Sequence, residues 1–282
     1  MVHQKAFHRG RTVLQRPCEP PMVTRNVAQS DQQLGTQMIS VNTCGGLGNQ
    51  IFQYAFARSL SPKYDVKLLN SCTQYGNSLG YFNITLPIAP HPGWRWIAER
   101  SLRFDPNPEI EDNSILAGYW QCERYFLNVE AELRKELTPR FPVSYTAEKV
   151  AEQMGDCSVM LHIRRGDYLT WAAARHGALP MDYYMRAVKH ITERVEGAHF
   201  FVFSDEDNYR PPLRCSMTVV HLLPHEDLWA MSKCRHAIIA NSSFSWWGAW
   251  LANAKHVVAP KQWFAQGNED SADIIPKRWT QI

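Results

Sequence analysis

No apolar run in the sequence approaches the roughly 18 residues of a membrane span, and the N-terminus lacks the apolar core of a secretion signal. A strong charge of either sign is missing too. The 30 Lys and Arg oppose 27 Asp and Glu for a net charge of +3, too balanced for a general nucleic-acid binder, whose affinity comes from a concentrated basic surface. Any anion site must therefore be local. The 7 cysteines (18, 44, 72, 122, 157, 215 and 234) are odd in number and scattered, with no CxxC pair or Cys/His ligand spacing. This excludes a disulfide scaffold and a structural zinc site, and fits a reducing compartment. HExxH is also absent, so zinc catalysis has no support.

What is present is a globular balance, 45% hydrophobic and 20% charged, on a chain of 282 residues that can bury one large core or two smaller ones. The 12% aromatic share is rich; such chains are usually just well packed, though Trp and Tyr also line sites for sugars and nucleosides. Residues 1–37 hold several basic groups, Pro20 and Pro21, and a run of Gln. They read as a poorly ordered extension, open to weak attraction by an anionic membrane surface.

Order is expected from Met38. MISVNTC reads as a strand, GGLGNQ as a tight loop, IFQYAFARSL as a helix and VKLLN (66–70) as a strand. The stretch 71–113 gives no assignable element. SILAGYW (114–120) reads as a strand, and a helix is expected over about 126–137. In the second half, strands are expected at 158–163, 199–203, 218–223, 236–240 and 256–260, with helices at 183–195, 225–234 and 243–253. Short apolar strands alternating with helices imply parallel sheets covered on both faces. Pro139, Pro142 and Ser144 mark a division into two α/β domains facing a cleft, 38–143 and 144–282.

Ligands gather at the carboxyl ends of parallel strands. Four polar motifs fall there: GGLGNQ, HIRRGD, SDED and NSS. In HIRRGD, Arg164 and Arg165 offer planar donor forks suited to phosphate oxygens, beside His162, Gly166 and Asp167. The plainer reading is a surface ion pair, worth little. Asn241, Ser242 or Ser243 would cap the following helix and leave N–H groups for an anion, although an ordinary cap is commoner. Trp246 and Trp250 are expected to pack against the sheet. GGLGNQ is a weak phosphate-loop pattern, whose Asn49 and Gln50 would supply donors facing the cleft. Asp205 and Asp207 form a DxD, the arrangement with which many glycosyltransferases hold a divalent metal; the alternatives are an acidic turn, or Asp205 accepting hydrogen bonds from a base such as guanine.

Taken together and in order, GGLGNQIFQYAFARSL, HIRRGDY, FSDE and NSSFSWWGAWL resemble the α-1,2-fucosyltransferases of glycosyltransferase family 11, from about residue 40 to the C-terminus. The resemblance implies two Rossmann-like domains facing a cleft, the glycosyltransferase B-type architecture, with the acceptor on the side of 38–143 and the donor on 144–282. It implies inverting transfer of L-fucose from GDP-β-L-fucose to the 2-hydroxyl of a terminal galactose on an oligosaccharide or glycolipid, without metal or other cofactor. Arg164 would bind the β-phosphate and stabilise charge on the departing GDP, while Arg165 supports the nucleotide. His162 and Asp205 would contact the guanosine. Asn241, Ser242 and Ser243 would hold the phosphates, and Asn49 would reach toward the fucose.

Inversion needs a group to take the acceptor proton. Related core α-1,6 enzymes carry an acidic residue a few positions after HxRR, whereas YLTWAAARHG (168–177) has none. Asp167 is the nearest candidate, followed by His176 and Glu123. The animal members carry a membrane anchor and this sequence shows none, so a bacterial-type enzyme is expected in the cytoplasm or peripherally at the inner membrane face. The acceptor pocket is expected from residues 71–126. The rival readings are a transferase of other linkage, a metal enzyme using Asp205 and Asp207, and a sugar- or nucleotide-binding module without turnover.

Overall fold

The computed structural model describes residues 37–71, 76–207, 209–265 and 271–282; the expected N-terminal extension lies outside them except for its last position. Two sheets form, and every strand pairing in them is parallel. The first has the order β2–β1–β4–β3, from β1 (Met38–Thr43), β2 (Asp65–Asn70), β3 (Arg95–Ala98) and β4 (Ser114–Ala117). The second has the order β10–β9–β8–β5–β6–β7. Its strands are β5 (Ser158–Ile163), β6 (His199–Ser204), β7 (Met217–Val220), β8 (His236–Ile238), β9 (Val257–Ala259) and β10 (Thr280–Gln281). The helices are α1 (Leu47–Leu60), α2 (Glu130–Glu136), α3 (Tyr145–Ala151), α4 (Met181–Thr192), α5 (Pro224–Met231) and α6 (Ser243–Leu251).

The strand order fixes where a ligand can go. From β5 the chain proceeds outward through β6 and β7, then returns to the other side of β5 as β8. The β5/β8 boundary is thus a topological switch point, where the crevice of an open parallel sheet lies. HIRRGD and NSS leave the carboxyl ends of these two strands. In the first sheet β1 likewise sits between β2 and β4, and the GGLG bend leaves its carboxyl end.

β5 is buried along its whole length, which explains the apolar run Val159-Met160-Leu161. Val159, Leu161 and Ile163 face Tyr183, Ala187 and Ile191 of α4. Met160, on the other face, joins Phe201, Leu228, Met231 and Trp246 in a core that continues into Ile39, Val41 and Phe52. The bridge is aromatic: the Phe52 ring of α1 lies 4.6 Å from Trp246 and 4.9 Å from Trp247 of α6. Trp246 and Trp250 are therefore packing residues, though against a helix of the first sheet as well as their own sheet. Both sheets lie in one compact unit, Thr36–Ile282. Among the described residues no helix is long and apolar enough to cross a membrane, and the cysteines at 44, 122, 157, 215 and 234 form no disulfide.

Three sequence expectations need correction. GGLGNQ is not a loop throughout, because α1 begins at Leu47 and puts Asn49 and Gln50 in its first turn; the N–H groups of both donate to Gly46 O, at 3.0 and 3.1 Å. The strand expected over 114–120 stops at Ala117. There Trp120 adopts φ +53°, costing a residue with a side chain roughly 1–2 kcal/mol, and the Glu99 carboxylate accepts the N–H of Tyr119 at 2.7 Å and of Trp120 at 3.2 Å. The helix expected over 126–137 opens with a 3-10 turn, Leu127–Val129, before α2.

Candidate active site

Arg164 leaves the carboxyl end of β5 between two carboxylates. Its Nη2 donates to Asp167 Oδ1 at 2.7 Å. Its Nε lies 3.1 Å from Asp205 Oδ2, at ion-pair distance but off the hydrogen-bonding direction. The other oxygen of Asp205 accepts the Arg165 N–H at 2.8 Å. A Cβ on Gly166 would come within 2.5 Å of Asp205 Oδ2, so glycine is what lets the turn close on that carboxylate. The Arg165 guanidinium turns the other way, donating to Glu206 and lying 4.4 Å over the Tyr209 ring. The arginine pair thus diverges, one fork held at the switch point and one bracing the turn.

His162 is buried, on the same sheet face as Met160 two residues earlier. Burial first, and the Arg164 charge second, push its imidazole down to about 3. The ring is neutral at physiological pH, and its Nδ1 is buried without a hydrogen-bond partner among the described residues. The ring centroid lies 5.7 Å from that of Phe244 in the first turn of α6.

At that turn the starts of α1 and α6 abut. A Cβ on Gly48 would lie 2.4 Å from Phe244 N and 2.5 Å from Ser243 C. Asn49 Oδ1 accepts the Ser243 hydroxyl at 2.7 Å and the Gln121 amide at 2.9 Å. Neither helix has an acidic residue in its first turn, so two positive dipole ends meet without a carboxylate between them. Ser242 holds the N-cap position of α6 in extended backbone but makes no side-chain cap bond. Gln50, expected to face the cleft, is instead a buried clamp on the carbonyls of Gly45 (2.8 Å) and Gly76 (3.1 Å).

Asn241 is a clamp as well. Its side-chain amide donates to the carbonyls of His176 (3.1 Å), Gly177 (3.2 Å) and Trp263 (3.1 Å), and its backbone carbonyl accepts the Tyr168 hydroxyl at 3.1 Å. Because the Arg164 guanidinium lies 5.3 Å over the Tyr168 ring, this bond joins the arginine turn to the α6 start. The structure thus brings Arg164, Asp167, Asp205, His162, Asn241, Ser242, Ser243 and Asn49 into one contiguous set. The other candidate bases lie in different settings. His176 stacks on Tyr168 at 4.8 Å, and Glu123 pairs with Arg278.

The DxD does not act as a pair. Asp205 faces the arginines, whereas Asp207 is exposed with its Oδ1 3.4 Å from His221 Nε2. No group of three or more His, Cys, Asp or Glu among the described residues is placed to hold a metal ion.

Asp227, in the first turn of α5, went unnoticed in the sequence, where HED after Pro224 reads as an ordinary acidic helix start. Burial pushes its carboxyl up to about 8, and Oδ1 is buried without a hydrogen-bond partner among the described residues. A carboxyl raised on folding contributes stability that is fully present below its unfolded value of about 3.9 and is lost as pH rises through the folded value. Asp227→Asn is therefore expected to gain about 1–3 kcal/mol relative to the parent at pH 8, and nothing at pH 4. Urea unfolding from pH 4 to 8 measures this; parallel stability profiles for the two proteins would contradict it.

A held arginine and abutting helix starts at the switch points of parallel sheets form an arrangement suited to an anionic ligand. The chain belongs to glycosyl transferase family 11, whose family model matches residues 95–282. It is 32% identical to an alpha-1,2-colitosyltransferase of Escherichia coli, over 87% of this chain and 99% of that one. It is 24% identical to galactoside alpha-(1,2)-fucosyltransferase 1 of Homo sapiens, over 76% of this chain and 65% of that one. Among solved structures it is similar to the fucosyltransferase NodZ from Bradyrhizobium, with a TM-score of 0.51 at 11% identity over 79% and 95% of the two chains, a likeness of fold alone.

Proposed function

We propose that the chain transfers L-fucose from GDP-β-L-fucose, with inversion and without a metal ion, to the 2-hydroxyl of a terminal galactose on an oligosaccharide or glycolipid. The observation that carries this is the meeting of the α1 and α6 starts, free of acidic residues in their first turns, beside Arg164. Fixed positive groups of this kind suit a diphosphate whose charge grows as the glycosidic bond breaks. Residues 144–282 hold the donor and 38–143 the acceptor. An acceptor carried on a glycolipid would bring the enzyme to the inner face of the membrane, from the cytoplasmic side.

Arg164 binds the β-phosphate, while the N–H groups at Ser242 and Ser243 take the remaining oxygens. Asn49, already bonded to Ser243, carries this frame toward the sugar. His162 and Asp205 contact the guanosine, while Arg165 supports the nucleotide and braces the turn. Asp167 orients Arg164 and is the nearest carboxylate to receive the acceptor proton.

A second reading changes only the donor. Identity of 32% along nearly the whole length of a colitosyltransferase favours GDP-colitose, and colitose is fucose without its 3-hydroxyl. The test is GDP or UDP release in EDTA from GDP-fucose, GDP-colitose, GDP-mannose and UDP-galactose, each with and without lactose. Release from GDP-fucose, accelerated by lactose, is the expected result, and an α-1,2 linkage in the isolated product completes it. Preference for GDP-colitose would establish the second reading. Silence in EDTA with activity restored by Mn²⁺ would move the chemistry to Asp205 and Asp207.

A further inference from the structure

Apart from the arginine site, the chain forms a cavity of about 260 Å³ at the β3 edge of the first sheet. Its walls include Ile97, Glu99, Arg103, Phe104, Trp120 and Tyr125. All lie within 71–126, the stretch expected to supply the acceptor pocket.

The cavity is held rigidly to the site already described. Glu99 clasps the backbone of Tyr119 and Trp120, and the Trp120 ring stacks on Phe56 of α1 at 4.0 Å. The next residue, Gln121, donates to Asn49 Oδ1 at 2.9 Å. On its other side, the Phe104 N–H donates to Asp273 Oδ2 at 3.1 Å. β3 is two strands from β1 in a parallel sheet, so the carboxyl ends of the two strands lie on one edge, roughly 10 Å apart.

Its chemistry excludes another phosphate site. Acidic Glu99, Asp105 and Glu109 stand with basic Arg100 and Arg103 around it. The Arg100 guanidinium donates to Glu109 at 2.8 Å, and Glu99 is taken up by backbone N–H groups. Aromatic walls with a few mutually engaged polar groups, and no surplus positive charge, suit a neutral polyhydroxylated ligand. The volume is below the roughly 300–1,000 Å³ of clefts for drug-sized molecules, a size for one or two sugar rings.

We propose that this cavity binds the inner sugar of the acceptor, the unit to which the terminal galactose is attached, while the galactose itself reaches toward Asn49 and Arg164. The assignment rests on the transferase reading above and adds an acceptor subsite to it. Wild type, Ser101→Phe, which fills the cavity from its wall, and Arg103→Ala, which only empties it, would be titrated with lactose and with methyl β-galactoside. Saturation-transfer NMR gives the affinity, and acceptor KM is measured alongside. Lactose affinity should fall about tenfold in Ser101→Phe and less in Arg103→Ala, with a matching rise in KM for lactose. The KM for methyl β-galactoside should stay within about twofold of wild type, and GDP affinity and melting temperature should not move. Unchanged lactose affinity in both variants, or no lactose binding by wild type, would overturn the assignment. Lactose bound by wild type and lost in Ser101→Phe, with no deoxysugar transferred, would support the cavity and sink the proposed reaction.

Discussion

Arg164→Ala should lower the transfer rate by about 10²–10³, the usual cost of removing a donor aimed at transition-state charge. Most of the loss should fall on kcat, because Arg164 is assigned to charge that appears only as GDP departs. Arg164→Lys should recover little of it. The guanidinium meets Asp167 through Nη2 and Asp205 through Nε at once, and a single ammonium cannot span two carboxylates and still present a fork to phosphate. Arg165→Ala, by contrast, removes a guanidinium turned to Glu206 and Tyr209, and should cost about tenfold or less, mainly through a looser turn. Since Arg164→Ala leaves two carboxylates facing each other, melting temperature must be followed with the kinetics. A folded Arg164→Ala protein within about threefold of wild type would sink the assignment of this arginine to the departing charge.

How much of this was legible in the sequence follows from where the information resides. The strand at 158–163 was read to the residue because burial on both faces leaves an apolar run at Val159-Met160-Leu161. The helix containing Trp246 and Trp250 was legible for a related reason, its composition being fixed by packing. Gln50 was misjudged, and the bonds that hold Asn241 and Asp205 were not foreseen. Each has the right chemistry at a strand or helix end, but their bonds reach residues 22 to 65 positions away in the chain, and no local pattern records such partners. Asp227 was missed because its burial is created by the fold, while its neighbours Pro224, His225 and Glu226 look like any acidic helix start. The cavity beside β3 was unreadable for the same reason. Its walls come from a short edge strand, an irregular loop and a left-handed turn at Trp120, none of which has a period to detect. That the acceptor pocket would come from 71–126 was an expectation from the resemblance, and the cavity is now a specific proposal for it.

The glycine of GGLGNQ at position 48 offers the largest test of the frame itself. By helix propensity alone Gly48→Ala should stabilise α1, since glycine within a helix costs roughly 1 kcal/mol relative to alanine. The packing argues the opposite. The added methyl would lie 2.4 Å from Phe244 N and 2.5 Å from Ser243 C, and both are backbone atoms of α6, unable to swing aside as a side chain could. The helices must separate, and overpacking of this kind typically costs about 1–3 kcal/mol. Steric exclusion should therefore outweigh propensity, with a net loss of about 1–2 kcal/mol in urea unfolding at constant m-value. The rate should suffer more than the stability. Separating the helices stretches the 2.7 Å bond from Ser243 to Asn49 and spreads the two dipole ends that are to meet one diphosphate, so a fall in kcat of about 10²-fold is expected. A Gly48→Ala protein more stable than its parent and fully active would mean that the two helix starts do not touch in solution. The anion site built on their contact would then have to be abandoned, whatever Arg164 does alone.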